Sequence, residues 1–325
     1  MTDLFSVLTE QIKNKEITIV LPEANDERII AAATRLSQEG LVKVILVGNK
    51  EEVTQFATKQ KQDVSKCVIL DSKNYDQMNE MVDKFVAVRK GKATKEQAEI
   101  LLRNENYFGT MLVYMDLADG LVSGAVHSTG DTVRPALQII KTKPGSSKVF
   151  GYFVMQRGDE RYIFADCAIN PNPSSQDLAE FAIVSAKEAL LYDIDPKVAM
   201  LSFSTNGSAD TEETQKVREA TKIVKEMDKQ LKIDGEMQFD AAFVPKVGQA
   251  KFPGSKVAGK ANVFVFPDLN SGNIGYKIAQ RLGGFEAIGP VLAGINAPVN
   301  DLSRGCSSED VYKTVILTAA QAINK

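Results

Sequence analysis

The sequence contains one histidine, His127, no tryptophan, and three widely spaced cysteines, Cys67, Cys167 and Cys306. A single histidine excludes a metal site built from several imidazoles, so any histidine-based catalysis depends on His127 alone. An odd number of distant cysteines without metal-ligand spacing favours free thiols in a reducing compartment over a disulfide framework. No apolar run approaches the roughly 18 residues that a membrane span needs, so we expect no membrane partner.

Charge also lacks a dominant sign, because 39 Lys and Arg stand against 42 Asp and Glu, for a net charge of −3. This balance argues against a general nucleic-acid or membrane-surface binder. Residues 1–16 lack the basic and apolar regions of a signal peptide and predict an amphipathic helix. With 325 residues, 44% of them hydrophobic, the chain has the composition of a cytoplasmic α/β enzyme of about two domains without a bound transition metal.

Short β-branched runs alternate with longer helical patterns in the first part of the chain. Strands are predicted at 17–21, 42–47 and 67–70, and helices follow them, the first beginning near Asn25. Strands separated by helices indicate βαβ units, and therefore a parallel sheet with helices on both faces.

The pattern changes after Pro144, where 149–155 and 161–166 predict two strands joined as a hairpin. The alternation then resumes with helices near 176–191, 211–227 and 275–282, strands near 198–203 and 263–266, and a last helix near 308–323. We therefore place a domain boundary near residue 147.

One segment, 254–261, comes close to the phosphate-binding P-loop pattern, which needs Ser or Thr where Ala261 stands. A strand-like run follows it where the P-loop requires a helix, so we interpret the segment as an ordinary loop. Neither the G-x-G-x-x-G dinucleotide fingerprint nor a G-x-S-x-G nucleophile motif occurs.

Three arginines are candidate anion ligands. Arg28 lies in the first turn of a predicted helix, at the carboxyl edge of the sheet, where ligands of open α/β folds bind. Arg89 follows an apolar helical stretch. Arg134 stands near a predicted helix start with Ser128 and Thr129, and hydroxyls, free N–H groups and a guanidinium together suit an anion. The alternative for each arginine is a solvated surface charge, and only Arg134 has local context against it.

The run 298–310 is the densest group of polar residues. Ser307 to Asp310 fits a capping box that opens the last helix, with Asp310 as a first-turn carboxylate. The same carboxylate could serve a site together with Ser303 and Arg304. Spacing alone leaves both interpretations open.

Cys306 and His127 each invite a catalytic interpretation. They are far apart in sequence, so we interpret Cys306 as a buried thiol and not as a nucleophile. A lone histidine beside a turn is more often a structural hydrogen-bond donor, and we expect that role for His127.

Five long blocks resemble phosphate acetyltransferases (phosphotransacetylases). They stand in family order over nearly the whole chain: HSTGDTVRPALQ at 127–138, AINPNPS at 168–174, DGEMQFDAAFVP at 234–245, GKANVFVFPDLNSGNIGYKIAQRLG at 259–283 and PVNDLSRGCS at 298–307. The resemblance implies interconversion of acetyl-CoA plus phosphate with CoA plus acetyl phosphate. It implies CoA, acetyl phosphate and phosphate as substrates, with no metal and no tightly bound cofactor.

The resemblance also implies a fold. Family members are homodimers of two α/β/α domains with mainly parallel sheets and an active-site cleft between the domains, similar to the isocitrate/isopropylmalate dehydrogenase-like fold. Their final helix returns to the first domain. We therefore expect one domain of residues 1–147 and 297–325 and another of residues 148–296.

Residue by residue, the resemblance implies Asp310 as the base for the CoA thiol, Ser303 as a hydrogen-bonding partner of the reacting groups, and Arg304 as the stabiliser of negative charge. Of the remaining candidates, Arg28 suits a phosphate of CoA, Arg89 and Arg134 suit phosphate or acyl phosphate, Ser128 and Thr129 come from the helix-start argument, and Lys277 and Arg281 have no assigned role.

We expect direct attack of the CoA thiolate on acetyl phosphate, without an acyl-enzyme. A free thiol titrates near 8.5 and a free Asp near 3.9, so Asp310 must be desolvated or the thiol acidified by arginine. The sequence leaves two alternative functions open. One is a phosphate butyryltransferase, and the other is a non-catalytic acetyl-CoA-sensing domain, which the intact Ser303, Arg304 and Asp310 disfavour.

Overall fold

The computed structural model describes residues 4–144 and 146–323. The chain divides into two compact units. The first unit joins the chain up to Pro144 with the stretch from Ile295 onward, and the second unit comprises the residues between them. Within the described residues, no helix has both the length and the apolar character needed to cross a bilayer.

The helices and strands follow one another in a mixed α/β order. Up to Pro144 they are α1 (Leu4–Ile12), β1 (Thr18–Leu21), α2 (Glu27–Glu39), β2 (Lys43–Val47), α3 (Lys50–Lys59), β3 (Val68–Leu70), α4 (Met78–Arg89), α5 (Lys95–Leu101), α6 (Glu105–Tyr114), β4 (Gly120–Ser123) and α7 (Thr129–Ile139). The second unit contains β5 (Phe150–Arg157), β6 (Glu160–Ala165), α8 (Ser175–Leu191), β7 (Lys197–Leu201), α9 (Glu212–Met227), β8 (Lys232–Met237), α10 (Phe239–Phe243), α11 (Pro245–Lys251), β9 (Val263–Val265), α12 (Leu269–Arg281) and β10 (Glu286–Ala293). Back in the first unit, β11 (Val299–Asp301) and α13 (Ser308–Ile323) follow.

The sheet of the first unit has the strand order β11-β4-β1-β2-β3, and all its pairs are parallel. Its central strands are apolar runs buried on both faces, as parallel strands covered by helices must be. From β1 the chain moves to β2 on one side, whereas β4 lies on the other side. The direction in which successive strands are added therefore reverses between β1 and β4. Open α/β sheets bind ligands at such a reversal, just beyond the carboxyl ends of the two strands.

Local signals in the sequence explain where α2 begins and ends. The side chain of Asp26 accepts a hydrogen bond from the backbone N–H of Arg28 and so caps the first turn. At the other end Gly40 adopts φ 66°, and its N–H donates to the carbonyl of Leu36. A residue with a Cβ would be strained in that left-handed conformation. These caps fix α2 directly after β1, at the carboxyl edge of the sheet.

The second unit has the strand order β10-β5-β6-β9-β7-β8. Strands β5 and β6 form an antiparallel hairpin in which Arg157 pairs with Glu160. The neighbouring pairs from β6 through β9 and β7 to β8 are parallel. Its core contains a cluster of aromatic side chains that includes Phe153, Phe164 and Phe264.

The structure confirms most elements that the pattern predicts. The hairpin, the parallel βα alternation and the bounds of α8, α9 and α13 agree with the expected ranges to within one or two residues, and the segment 254–261 is a loop. One predicted boundary is wrong, since α12 begins at Leu269 and not near Gly275. Its first turns are rich in Ser, Asn and Gly, which have low helix propensity, and a cap from Asp268 starts the helix there.

Candidate active site

A buried carboxylate organises the carboxyl edge between β1 and β4. The side chain of Glu23, just after β1, has no exposed surface. Over 2.8–3.1 Å it accepts hydrogen bonds from four consecutive backbone N–H groups after β4, those of Gly124, Ala125, Val126 and His127. Nδ1 of His127 lies 2.8 Å from the same carboxylate. Glu23 thus fixes the segment that leads into α7, and His127 has the structural role expected from the sequence.

One guanidinium joins the loops that follow three strands. Arg28 forms a bidentate pair with Asp26 over 2.9 and 2.8 Å. Its Nη2 also donates to the carbonyl of Ala125 over 2.7 Å, and its Nη1 donates to the carbonyls of Arg304 and Cys306 over 2.8 and 3.1 Å. All five N–H donors of Arg28 therefore have protein partners. The loops after β1, β4 and β11 are held together at this point.

Helix α7 begins beside these loops with a capping box. Ser128 accepts from the backbone N–H of Asp131, and Asp131 accepts in return from the backbone N–H of Ser128. The hydroxyl of Ser128 donates to the carboxylate of Asp131 over 2.7 Å. The hydroxyl of Thr129 donates to the carboxylate of Asp301 over 2.6 Å. Both hydroxyl protons are thus directed at protein carboxylates.

Two of the candidate arginines lie close to the same tyrosine. The positive charges of Arg134 and Arg89 both lower the pKa of Tyr107, although burial makes the net change of that pKa upward. Nη1 of Arg89 donates to the carbonyl of Gln138 over 3.4 Å, and the hydroxyl of Tyr107 donates to the side chain of Gln138 over 3.1 Å. A cationic region therefore adjoins α7.

The guanidinium of Arg134 reaches back over the first turn of α7. A Cβ placed on Gly130 would lie 3.7 Å from Oγ of Ser128 and 3.9 Å from Nη2 of Arg134. Helical side chains point toward the helix N-terminus, so position 134 is suited to place its charge there. The position of Arg134 beside this helix start is confirmed, and its role as an anion ligand stays a prediction.

Helix α13 begins with the capping box that the sequence predicts. Asp310 accepts hydrogen bonds from the backbone N–H and the hydroxyl of Ser307, each over 2.8 Å, and its own N–H donates to that hydroxyl over 3.1 Å. The capping-box prediction is confirmed. Asp310, Ser303 and Arg304 are all exposed. Within residues 4–144 and 146–323, the side chain of Arg304 has no hydrogen-bond or ion-pair partner.

The thiol of Cys306 lies beneath this exposed surface. Only 8% of the residue is exposed, and Sγ lies 3.7 Å from Nη1 of Arg28. Burial raises the pKa of Cys306 to about 11, although the charge of Arg28 opposes the change. A thiol with so high a pKa is a poor nucleophile at neutral pH, and the interpretation as a buried thiol is confirmed.

A cavity of 530 Å³ opens at the carboxyl ends of β1, β2 and β3. Its wall includes Glu23, Asp26 and His127 together with Asn49 and Asp71. Its size suits a small-molecule group, and it adjoins the loops that Arg28 joins. In the described part of the chain, no set of three or more His, Cys, Asp or Glu side chains is grouped to hold a metal ion.

The candidate residues fall into two groups in the structure. The catalytic and binding candidates from the sequence all lie in the first unit, near the ends of β1, β4 and β11 or on the neighbouring helices: Arg28, Arg89, Ser128, Thr129, Arg134, Ser303, Arg304 and Asp310. Lys277 and Arg281 lie on α12 in the second unit, where Lys277 donates to Asn273 over 2.7 Å.

Three residues of this edge were missed by the sequence interpretation. Glu23, Asp26 and Asp301 each stand at or just after a strand end, which was the available signal. The hydrogen-bond partners of Glu23 and Asp301 lie about a hundred or more residues away in the sequence. The pattern of neighbouring residues could therefore not reveal these contacts.

A family model described as phosphate acetyl/butaryl transferase matches residues 3–319. The chain belongs to the phosphate acetyl/butaryl transferase family. A phosphate acetyltransferase of Bacillus subtilis strain 168 is 58% identical over 323 residues, which cover 99% of this chain and 100% of the relative. A phosphotransacetylase structure from Streptococcus pyogenes has a TM-score of 0.98 at 58% identity, covering 100% of both chains.

A more distant likeness concerns the fold alone. A putative 4-hydroxythreonine-4-phosphate dehydrogenase from Salmonella typhimurium has a TM-score of 0.55 at 14% identity, over 94% of this chain and 99% of that one. The prediction of a mixed α/β fold like that of certain dehydrogenases is confirmed. Membership of the family makes the chain an acyltransferase, as the sequence resemblance implies.

Proposed function

We propose that this protein is a phosphate acetyltransferase, which reversibly transfers an acetyl group between CoA and phosphate by direct attack of the CoA thiolate. The supporting observation is the way Arg28 anchors the Ser303–Cys306 segment beside the loop that leads into α7. The segment proposed to contact the acetyl carbonyl and the helix start proposed to contact the phosphate thus lie at the same edge of one sheet. The full-length likeness to phosphate acetyltransferases supports the acetyl group over butyryl.

In this proposal Arg304 stabilises the negative charge that develops on the carbonyl oxygen. Its guanidinium is exposed while its own carbonyl is held by Arg28, so the backbone is fixed and the cation can meet a substrate. Ser303 is anchored on the same segment, where its Oγ accepts the N–H of Gly305 over 3.2 Å. The hydroxyl proton of Ser303 is then available to the reacting groups. Preorganised donors of this kind typically give the largest single contribution to catalysis of acyl transfer.

Asp310 is the proposed base for the CoA thiol. Ser307 fixes the position of its carboxylate through two hydrogen bonds to Oδ2. An exposed carboxylate is a weak base for a thiol, so the base must lose water contact when it acts. We infer that CoA itself covers Asp310, and that Arg304 favours the thiolate form of the incoming sulfur. The capping and base roles are compatible, because the cap leaves Oδ1 for the thiol proton.

Arg89 and Arg134 are the proposed ligands of the phosphate group. Both adjoin Tyr107, and Arg134 reaches back over the first turn of α7. Arg134 lies beside the N-terminus of α7 and Arg89 lies near its other end, at Gln138. The positive charges of both arginines favour the leaving phosphate. Arg28 is the proposed contact of a CoA phosphate. Since its five donors are engaged, that contact requires exchange of one existing hydrogen bond.

The reaction needs no covalent intermediate on the enzyme. The only cysteine beside the site, among the described residues, is Cys306, and its buried thiol has a raised pKa. The thiolate of CoA attacks the acetyl carbonyl, the carbon–oxygen bond to phosphate breaks, and phosphate leaves with its electron pair. The thiol proton passes to Asp310.

Thioester formation from CoA and acetyl phosphate tests this proposal, beside the same reaction with butyryl phosphate. We expect rapid turnover with a strong preference for acetyl phosphate. Comparable or faster turnover of butyryl phosphate would assign the chain to butyryl transfer. Binding of acetyl-CoA without turnover in either direction would favour the acetyl-CoA-sensing alternative.

We also propose that the protein acts as a homodimer in the cytoplasm. The free thiols Cys67, Cys167 and Cys306 are consistent with a reducing compartment. Helix α12 and its C-terminal capping residue Leu282 expose an apolar stripe of side chains about one turn apart: Ile274 is 57% exposed, Ile278 53% and Leu282 86%. Contiguous exposed apolar residues are typical of a protein interface, and a second copy of this chain is the occupant that we propose.

A further inference from the structure

Asp301 is a buried carboxylate near the exposed catalytic candidates. It is the last residue of β11, only 1% of it is exposed, and Ser303 follows two residues later. Its Oδ2 accepts the hydroxyl of Thr129 over 2.6 Å. Thr129 is the first residue of α7 and follows the capping residue Ser128. One hydrogen bond therefore connects the end of β11 with the start of α7.

The backbone around Asp301 is closely packed against β4. The N–H of Leu302 donates to the carbonyl of Ser123 over 2.7 Å. Gly124 has φ 111°, and a Cβ at this position would overlap Oδ1 of Asp301 and the backbone of Leu302. Only glycine permits this approach. The end of β11 therefore has little freedom to move relative to the loop that leads into α7.

The charge of Asp301 makes this connection strong. Burial raises the pKa of Asp301 to about 6, the nearby charge of Glu23 adds to the effect, and the hydroxyls of Thr129 and Thr132 oppose it. The carboxylate is therefore mostly ionised above neutral pH. A hydroxyl that donates to an ionised oxygen forms a shorter and stronger hydrogen bond than a neutral pair.

We propose that Asp301 is a positioning residue for acyl transfer, which acts through Thr129 to hold the start of α7 at a fixed distance from Ser303 and Arg304. The proposal rests on the acyl transfer proposed above. Direct transfer requires the carbonyl near Arg304 and the phosphate near α7 to be held in one geometry. A displacement of about 1 Å between such groups can reduce the rate about a hundredfold.

The proposal changes the role expected for Thr129. The sequence suggested a hydroxyl that binds the anion directly. In the structure the hydroxyl proton of Thr129 is directed at Asp301, so it is not available to an anion. The side chain of Thr129 therefore sets the position of α7, while the anion is met by Arg134 and Arg89.

Three variants test the connection by steady-state kinetics. Thr129→Val preserves the shape of the side chain and removes the hydroxyl, and we expect kcat to fall about tenfold to a hundredfold with KM values within about threefold. Thr129→Ser restores the hydroxyl and should recover most of the lost kcat. Thr54→Val, on the exposed face of α3, controls for the substitution itself. Unchanged kcat in Thr129→Val overturns the proposal, and so does a loss in Thr129→Ser as large as in Thr129→Val.

Hydrogen exchange separates this proposal from the proposed activity. The backbone amides of residues 129–134 should exchange faster in Thr129→Val than in the wild type, and Thr54→Val should leave them unchanged. If the wild type forms no thioester while this difference in exchange is present, the proposed activity is wrong and the connection itself stands. If activity is present and neither exchange nor kcat responds to Thr129→Val, the positioning role is wrong.

Discussion

The guanidinium of Arg28 donates to the backbone carbonyl of Arg304 over 2.8 Å, although the two residues are 276 positions apart in the sequence. This bond fixes the segment that carries the proposed oxyanion stabiliser to the first turn of α2. The same guanidinium holds the loop after β4. Arg28 is therefore a structural junction as well as the proposed contact of a CoA phosphate.

The first prediction concerns this junction. Arg28→Lys keeps the positive charge, but an ammonium has three donors and cannot form the bidentate pair with Asp26. Partly buried acceptors lose their donors, so we expect the free energy of unfolding to fall by about 2–4 kcal/mol. Urea unfolding measures this change. Arg103→Lys, at an exposed position, is the control, and equal stability of the two variants would contradict the junction.

The second prediction concerns the charge on Arg304. Arg304→Ala removes the proposed stabiliser of the carbonyl oxygen without touching the backbone bond to Arg28. We expect kcat/KM for thioester formation to fall about a hundredfold to a thousandfold, the usual cost of losing one oxyanion donor. Thermal unfolding should change little, because the side chain is exposed. A variant that keeps near-normal kcat/KM would remove Arg304 from the mechanism.

The third prediction concerns the pH dependence of stability. Since burial raises the pKa of Asp301 to about 6 from an unfolded value of 3.8, the folded protein binds more protons than the unfolded chain between these pH values. The contribution of Asp301 to the free energy of unfolding therefore falls as the pH rises through this window. The groups that face it are Glu23, the hydroxyls of Thr129 and Thr132, and the N–H of Leu302.

The Asp301→Asn variant has no ionisable carboxyl at position 301, and all its other titratable groups are those of the wild type. Compared with the variant, the wild type should lose up to about 3 kcal/mol of stability from pH 4 to pH 7. Denaturant unfolding of both proteins at several pH values gives the difference. A difference that stays constant over this range would show that the pKa of Asp301 is not raised in the folded protein.

The fourth prediction concerns the apolar stripe on α12. Ile278→Glu places a charge in the centre of the proposed interface between two copies. We expect the sedimentation-equilibrium mass to shift from dimer toward monomer, with retained secondary structure by circular dichroism. Ile100→Glu, at an apolar side chain that is 69% exposed on α5, should leave the mass unchanged. A wild-type monomer, or a variant that stays dimeric, would contradict the proposed interface.

Local patterns predicted the elements whose signals lie within a few neighbouring residues. Ser307 and Asp310 mark the start of α13 because a capping box is a contact over three positions. The start of α12 was missed because its first turns have a weak helical pattern. Strands β4, β8, β10 and β11 were also missed, since each contains Gly, Pro, Asn or Asp, which are depleted in strands.

Prediction from neighbouring residues is even more limited for the candidate site. Resemblance named exposed residues for which we propose contact with a substrate, among them Ser303 and Arg304. The buried residues Glu23 and Asp301 hold the segment that leads into α7, and the parallel sheet alone brings these partners close. The sequence likewise suggested an available guanidinium at Arg28, and only the structure shows its five donors engaged.

We propose that the carboxylate of Asp310 accepts the thiol proton, and the decisive measurement is the kcat of Asp310→Asn for thioester formation. The amide keeps the size of the side chain and removes the base. We predict that kcat falls about a hundredfold to ten-thousandfold, while KM changes little. Glu309→Gln, which neutralises the neighbouring exposed carboxylate of α13, should keep normal kcat. Near-normal kcat in Asp310→Asn would show that Asp310 is not the base for the thiol.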